Sequence, residues 1–171
     1  MKSKIYSSEY MKTSSKGQMW IPAFAMIAFL LAFPVAELLS MGRWNGYHYT
    51  QRQLDYLYSG LWSSEFLVMG AVAVAATAFL AALSGFWYLY SPRKVDFYHS
   101  LPAKRSELFL HRVFLAVIYY LIPYAVMEFT AVCIGAARGY YSLPIMKKAL
   151  MLLLVHLLIY LLVYFSTVLV I

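Results

Sequence analysis

Residues 66–90 read FLVMGAVAVAATAFLAALSGFWYLY, 25 residues without one charged side chain. As a helix rising about 1.5 Å per residue, this stretch covers about 37 Å, more than the ~30 Å hydrocarbon core of a bilayer. Trp87, Tyr88 and Tyr90 close it, placing amphipathic rings where headgroups begin. Three more stretches qualify as spans: Trp20–Leu39, Val113–Ala137 and Leu150–Ile171, the first opened by an interfacial Trp20. Each must be helical, because unpaired backbone N–H and C=O groups are too costly in hydrocarbon. The expected fold is an all-α integral membrane protein with four transmembrane helices.

Composition supports this. The 171 residues are 63% hydrophobic and only 12% charged, with a mean hydropathy of +0.68. A soluble domain is about half apolar and about a quarter charged. The net charge of +7 comes from residues that flank spans. No basic face interleaved with aromatics lies outside those flanks, so nucleic acid is not an expected partner and membrane lipid is. The single Cys133 allows no intrachain disulfide and no cysteine-based metal site. No cofactor or metal is expected. The polar segment Met1–Gln18 is followed by an apolar run too long for a signal-peptide core and lacking an Ala-x-Ala site, so the first span is expected to be retained. The chain thus divides into a cytoplasmic or interfacial segment, 1–18, and a transmembrane region, 19–171. Its apolar last residues, Val168–Ile171, have no polar flank, which suggests the front portion of a longer protein.

Basic residues set the orientation. With the N-terminus inside, the cytoplasmic side holds Lys2, Lys4, Lys12, Lys16, Arg93, Lys94, Lys104, Arg105 and Arg112. The outer side holds Arg43, Arg52, Arg138, Lys147 and Lys148, so nine against five favours N-in. The connection between the second and third spans, SPRKVDFYHSLPAKRSELFL (91–110), is then cytoplasmic. Ser91 can cap a helix, Pro92 suits its first turn, and Val95, Tyr98 and Leu101 share one face. Pro102 disfavours an α conformation at Leu101 and marks a break before the helix entering the third span. Physically, such a helix either lies on lipid headgroups or docks a cytoplasmic partner.

The run LYSPRKVDFYHSLPAKRSELFLHRVF resembles the segment after the second span in bacterial ABC-2-type transporter permeases, which carry a Val-Asp-Phe-Tyr-His-Ser-Leu-Pro block with nearby basic residues. The likeness is specific over about 25 residues; elsewhere it is one of span layout. It implies that Val95, Asp96, Phe97, Tyr98, His99, Ser100, Leu101, Pro102, Lys104 and Arg105 form a coupling helix seated in an ATP-binding-cassette ATPase subunit. It further implies a second permease subunit, the same or different, and a multi-pass location in the bacterial cytoplasmic membrane. Such permeases usually have six or more spans, in line with a truncated chain. The segment 8–18 would correspond to their interfacial connecting helix, or be an unstructured tail.

Ionisable groups inside spans are costly and often functional. Glu128 lies well inside the third span, five residues after Pro123, which is expected to kink that helix. Glu128 either lines a substrate pathway or pairs with a neighbouring Tyr, Ser or His. His156 is expected to be a neutral, hydrogen-bonded contact between helices, with a transport role as the alternative. Glu37 is expected to reach the headgroups. The small residues of the second span, from Gly70 to Gly85, suit close helix packing. The aromatic loop 42–64 is expected to hold a short surface helix. No His-Glu-x-x-His, Gly-x-Ser-x-Gly or Walker A sequence occurs, so no catalytic residue and no enzyme activity is expected. An accessory or immunity-type membrane protein that only binds partners is the rival reading.

The orientation can be checked directly. Single cysteines at Ser100 and Ser59, in a Cys133→Ser background, should label oppositely with an impermeant thiol reagent on intact cells. Ser59→Cys should react from outside; reaction of Ser100→Cys instead would invert the topology.

Overall fold

The computed structural model describes residues 18–44, 49–87, 105–140 and 143–171. Among them are four helices long and apolar enough to cross a membrane. They are α1 (Trp20–Trp44), α2 (Gln51–Phe86), α3 (Arg105–Ala137) and α4 (Leu143–Val170). The chain is an all-α membrane protein, as its apolar stretches require. Every helix is longer than the span expected from hydropathy. At ~1.5 Å per residue the 36 residues of α2 cover about 54 Å, so part of it must emerge from the hydrocarbon.

That emergent part corrects the expected surface loop. The polar start of α2 is fixed by Gln53, whose Oε1 accepts a bond of 2.9 Å from the Thr50 backbone N–H, half of a capping box. From there the helix enters the span without a break, through a π-helical turn at Leu61–Glu65. Tyr58 and Trp62 consequently turn into the bundle and are buried. A second π turn, Leu31–Val35 in α1, surrounds Pro34, whose ring cannot donate an N–H to the ladder. Pro123 acts differently: α3 runs through it as an unbroken α-helix. At the far end of α3, Gly139 takes φ +82°, and the N–H groups of Tyr140 and Gly139 donate to the carbonyls of Gly135 and Ala136 at 3.0 Å each. This left-handed stop is a Schellman motif, a conformation that glycine adopts without strain.

Side-chain size decides how the helices approach. On α2 the buried face carries Gly70, Val74, Thr77, Ala78, Ala81, Ala82 and Gly85, and α4 lies close along it. In hydrocarbon there is little hydrophobic drive between helices, so close backbone approach and dispersion supply the association. Between α3 and α4 the filling is aromatic instead. Tyr120 of α3 stacks on Tyr160 of α4 with ring centroids 4.2 Å apart. Phe29 and Phe33 of α1 meet Tyr124 of α3 edge-on, both at 5.2 Å. Such pairs contribute about 0.5–1.5 kcal/mol each beyond the area they bury.

Gly70 is one of two tight points, the other being Gly135 against Tyr58. A Cβ placed at Gly70 would overlap the His156 imidazole, whereas one at Gly42 would meet open space. Gly70→Ala is therefore expected to destabilise the bundle by about 1–3 kcal/mol through overpacking. Gly42→Ala should be neutral or stabilising by up to about 1 kcal/mol. Chemical denaturation in mixed micelles reads both; a harmless Gly70→Ala would contradict the close approach.

Candidate functional site

Two rows of residues at four-residue spacing face each other inside the bundle. On α3 the row is Arg112, Ala116, Tyr120, Tyr124 and Glu128; on α4 it is Lys148, Leu152, His156, Tyr160 and Tyr164. Side chains four apart form ridges inclined about 26° to the helix axis, so one row can touch several neighbours in turn. All of these residues are buried except Lys148, which is half-buried.

His156 is the centre. Its Nε2 lies 3.1 Å from the Leu67 carbonyl oxygen of α2. That oxygen can only accept, so Nε2 carries a proton and donates it. The ring is fully buried, and a neutral imidazole then leaves Nδ1 as an acceptor. The Tyr124 hydroxyl, 2.8 Å away, donates to Nδ1. The sequence-based expectation of a neutral, hydrogen-bonded helix contact describes this arrangement. One turn beyond Tyr124, the Glu128 carboxyl approaches the same hydroxyl. Glu128 is only 6% exposed, and its Oε1 has no hydrogen-bond partner. The Tyr120 and Tyr164 hydroxyls are also buried without partners, whereas Tyr160 donates to the Ala116 carbonyl at 2.7 Å.

Polar contacts also hold both ends of the ladder. At one end Arg112 donates to the Gly85 carbonyl of α2 and lies 5.9 Å from the centre of the Phe86 ring. At the other end Tyr58 occupies the space that a side chain at Gly135 would take, and stacks on Tyr140 at 5.1 Å. Its hydroxyl donates to Glu37 Oε1 at 3.0 Å. Glu37 is thus fully buried, which corrects the expectation that it reaches headgroups. The reason is the extended α2, which brings Tyr58 inward to meet it. Nearby, Ser40 donates to Glu65 Oε2 at 3.1 Å, and Lys148 donates to the Ser59 carbonyl at 3.0 Å and to Ser63 Oγ at 2.8 Å.

Of the residues singled out from sequence, Glu128 and His156 come within about one turn of each other, with Tyr124 between them. Of the coupling block, Val95, Asp96, Phe97, Tyr98, His99, Ser100, Leu101, Pro102 and Lys104 are outside the described residues, and Arg105 is the first residue of α3. The tyrosines were missed, although Tyr120-Tyr124-Glu128 and His156-Tyr160-Tyr164 repeat the same spacing on consecutive spans. Among the described residues, no group of three His, Cys, Asp or Glu side chains could hold a metal ion. No family model, no curated protein and no solved structure matches the chain.

The ladder predicts an asymmetry between two similar substitutions. Tyr124→Phe strands His156 Nδ1 without a donor and should cost about 1 kcal/mol. Tyr120→Phe removes a hydroxyl that has no partner and should change stability by less than about 0.5 kcal/mol. Equal losses on denaturation in mixed micelles would show that the Tyr120 hydroxyl is also bonded.

Proposed function

We propose that the chain is the membrane-spanning permease subunit of an ATP-binding-cassette transporter of the ABC-2 type, exporting its substrate with energy from a separate ATPase subunit. The observation that carries this reading is the block VDFYHSLP, residues 95–102, followed by Lys104 and Arg105, in the connection between the second and third spans. Four helices fit a permease, though four apolar helices are a general feature of membrane proteins. The ends of the two spans joined by this connection are tied to each other by Arg112 and the Gly85 carbonyl. A pull on the connection would therefore move α2 and α3 as a pair. Glu128 and His156 face the interior of the bundle, the side from which a pathway would open. In this reading the protein works beside a second permease subunit in a bacterial cytoplasmic membrane.

One observation favours the accessory or immunity-type alternative. The interior around His156 is filled with aromatic side chains, as suits a bundle that binds partners without opening. Copurification separates the two readings. The neighbouring reading frame should encode the ATPase, and the wild-type chain should recover it in a pulldown. Phe97→Ala with Tyr98→Ala should weaken that recovery by about 2–4 kcal/mol, because buried aromatic anchors dominate docking. Lys104→Ala with Arg105→Ala should chiefly alter the salt dependence. Equal recovery by all three proteins at low and high salt would sink the coupling-helix assignment. For the pathway, Glu128→Gln should lower transport while membrane abundance holds; a parallel fall in abundance would make the residue structural.

A further inference from the structure

We infer that Glu128, Tyr124 and His156 form a closed proton store inside the bundle, with Glu128 as the acid that holds the proton and His156 as the base at the far end of its path. The inference stands on the geometry of the chain and does not depend on a partner ATPase.

Charge comes first. Along the chain, the basic residues nearest Glu128 on either side are Arg112, sixteen residues before it, and Arg138, ten residues after. At ~1.5 Å per residue these are about 24 and 15 Å away along the helix axis. On α4 the pairs Tyr120–Tyr160 and Tyr124–His156 set Leu152 level with Glu128, so Lys148 roots one turn, about 6 Å along the axis, from it, with its ammonium held by Ser59 and Ser63 of α2. Around this tier α1 presents Phe29 and Phe33, α2 the Leu67 carbonyl and Gly70, and α4 His156 and Tyr160. None of these is a fixed cation. With the Lys148 ammonium held by α2, a carboxylate buried there has no contacting cation to offset its lost hydration, so the group rests as the neutral acid.

Direction comes second. Leu67 fixes the imidazole with its proton on Nε2, so Nδ1 accepts from Tyr124 and the Tyr124 oxygen is open to a donor on the Glu128 side. All donors then point the same way, from Glu128 through Tyr124 to His156. Passing the proton breaks the Glu128 O–H bond and forms one at Tyr124, whose own proton moves to His156 Nδ1. The tyrosine ends unchanged, and the acid and imidazole become a carboxylate and an imidazolium. Transfer stops there, because the Leu67 carbonyl accepts a hydrogen bond but is no base. The array stores a proton and does not conduct it.

Infrared spectra of the purified chain in lipid nanodiscs test this without any transport assay. The wild type should show the carbonyl stretch of a protonated carboxylic acid, lost in Glu128→Gln and shifted in Tyr124→Phe. Glu37→Gln should leave that band in place. In wild type alone, ¹⁵N-histidine spectra should show one ring protonated at Nε2 with Nδ1 accepting, a signal absent from His156→Gln. A Glu128→Gln spectrum identical to wild type overturns the store. So does a band that Tyr124→Phe leaves unmoved, or a His156 ring protonated at Nδ1.

Discussion

The imidazole of His156 touches all four spans. It donates to a carbonyl of α2, accepts from a tyrosine of α3, belongs to α4, and lies 6.2 Å from the Phe33 ring of α1. Its position demands a glycine opposite, because any Cβ at Gly70 would displace the ring. Gly70 lets α2 and α4 close up, and closure brings Nε2 onto Leu67. The tautomer set by Leu67 then determines what Tyr124 can do. In lipid, where association of helices has little hydrophobic drive, one correctly placed ring with two hydrogen bonds can set the register of a bundle.

Much of the fold was legible because hydrocarbon thickness and backbone satisfaction allow so few solutions. Residues 66–90 could be little other than a span, and the glycines and alanines within it pointed to close packing. That His156 is hydrogen-bonded follows from its place in an apolar run, where a single histidine has to find partners. The errors share a different cause. Glu37 was sent to the headgroups because the sequence places it near one end of its span, and the group that buries it, Tyr58, comes from a helix whose length exceeds its apolar stretch. The amphipathic turn Gln51–Gly60 looked like a separate surface element, since hydropathy marks where lipid stops and not where a helix stops. Pro34 and Pro123 have the same chemistry and different outcomes, one within a π turn and one in regular α-helix. That choice is made by packing around them, which no local pattern records.

The tyrosine ladder also bears on how motion could pass through the bundle. Tyr120, Tyr160 and Tyr164 form a run of stacked rings, with centroid separations of 4.2 and 5.9 Å. The small-residue seam between α2 and α4 is the opposite kind of contact, close and intolerant of added volume. Across the α3–α4 interface the Tyr160–Ala116 and Tyr124–His156 hydrogen bonds hold the register, while Arg112–Gly85 ties α3 to α2 and Glu37–Tyr58 ties α1 to α2.

The π turn at Leu61–Glu65 has a meaning in terms of angular phase. A π turn takes one residue more than an α turn to make the same advance, and each α-helical residue turns about 100°. Seen from the membrane-embedded part of α2, every side chain before Leu61 is therefore rotated by about a quarter-turn relative to an uninterrupted helix. Removing a single residue from the turn would leave the embedded half in place and swing Tyr58 away from Glu37 and Gly135. The two halves of α2 thus work as separately indexed parts of one shaft, and the exposed residues from Gln51 to Tyr56 can be tuned for what they meet outside the lipid without disturbing the packing around His156, while Tyr58 and Ser59 stay committed to Glu37 and Lys148.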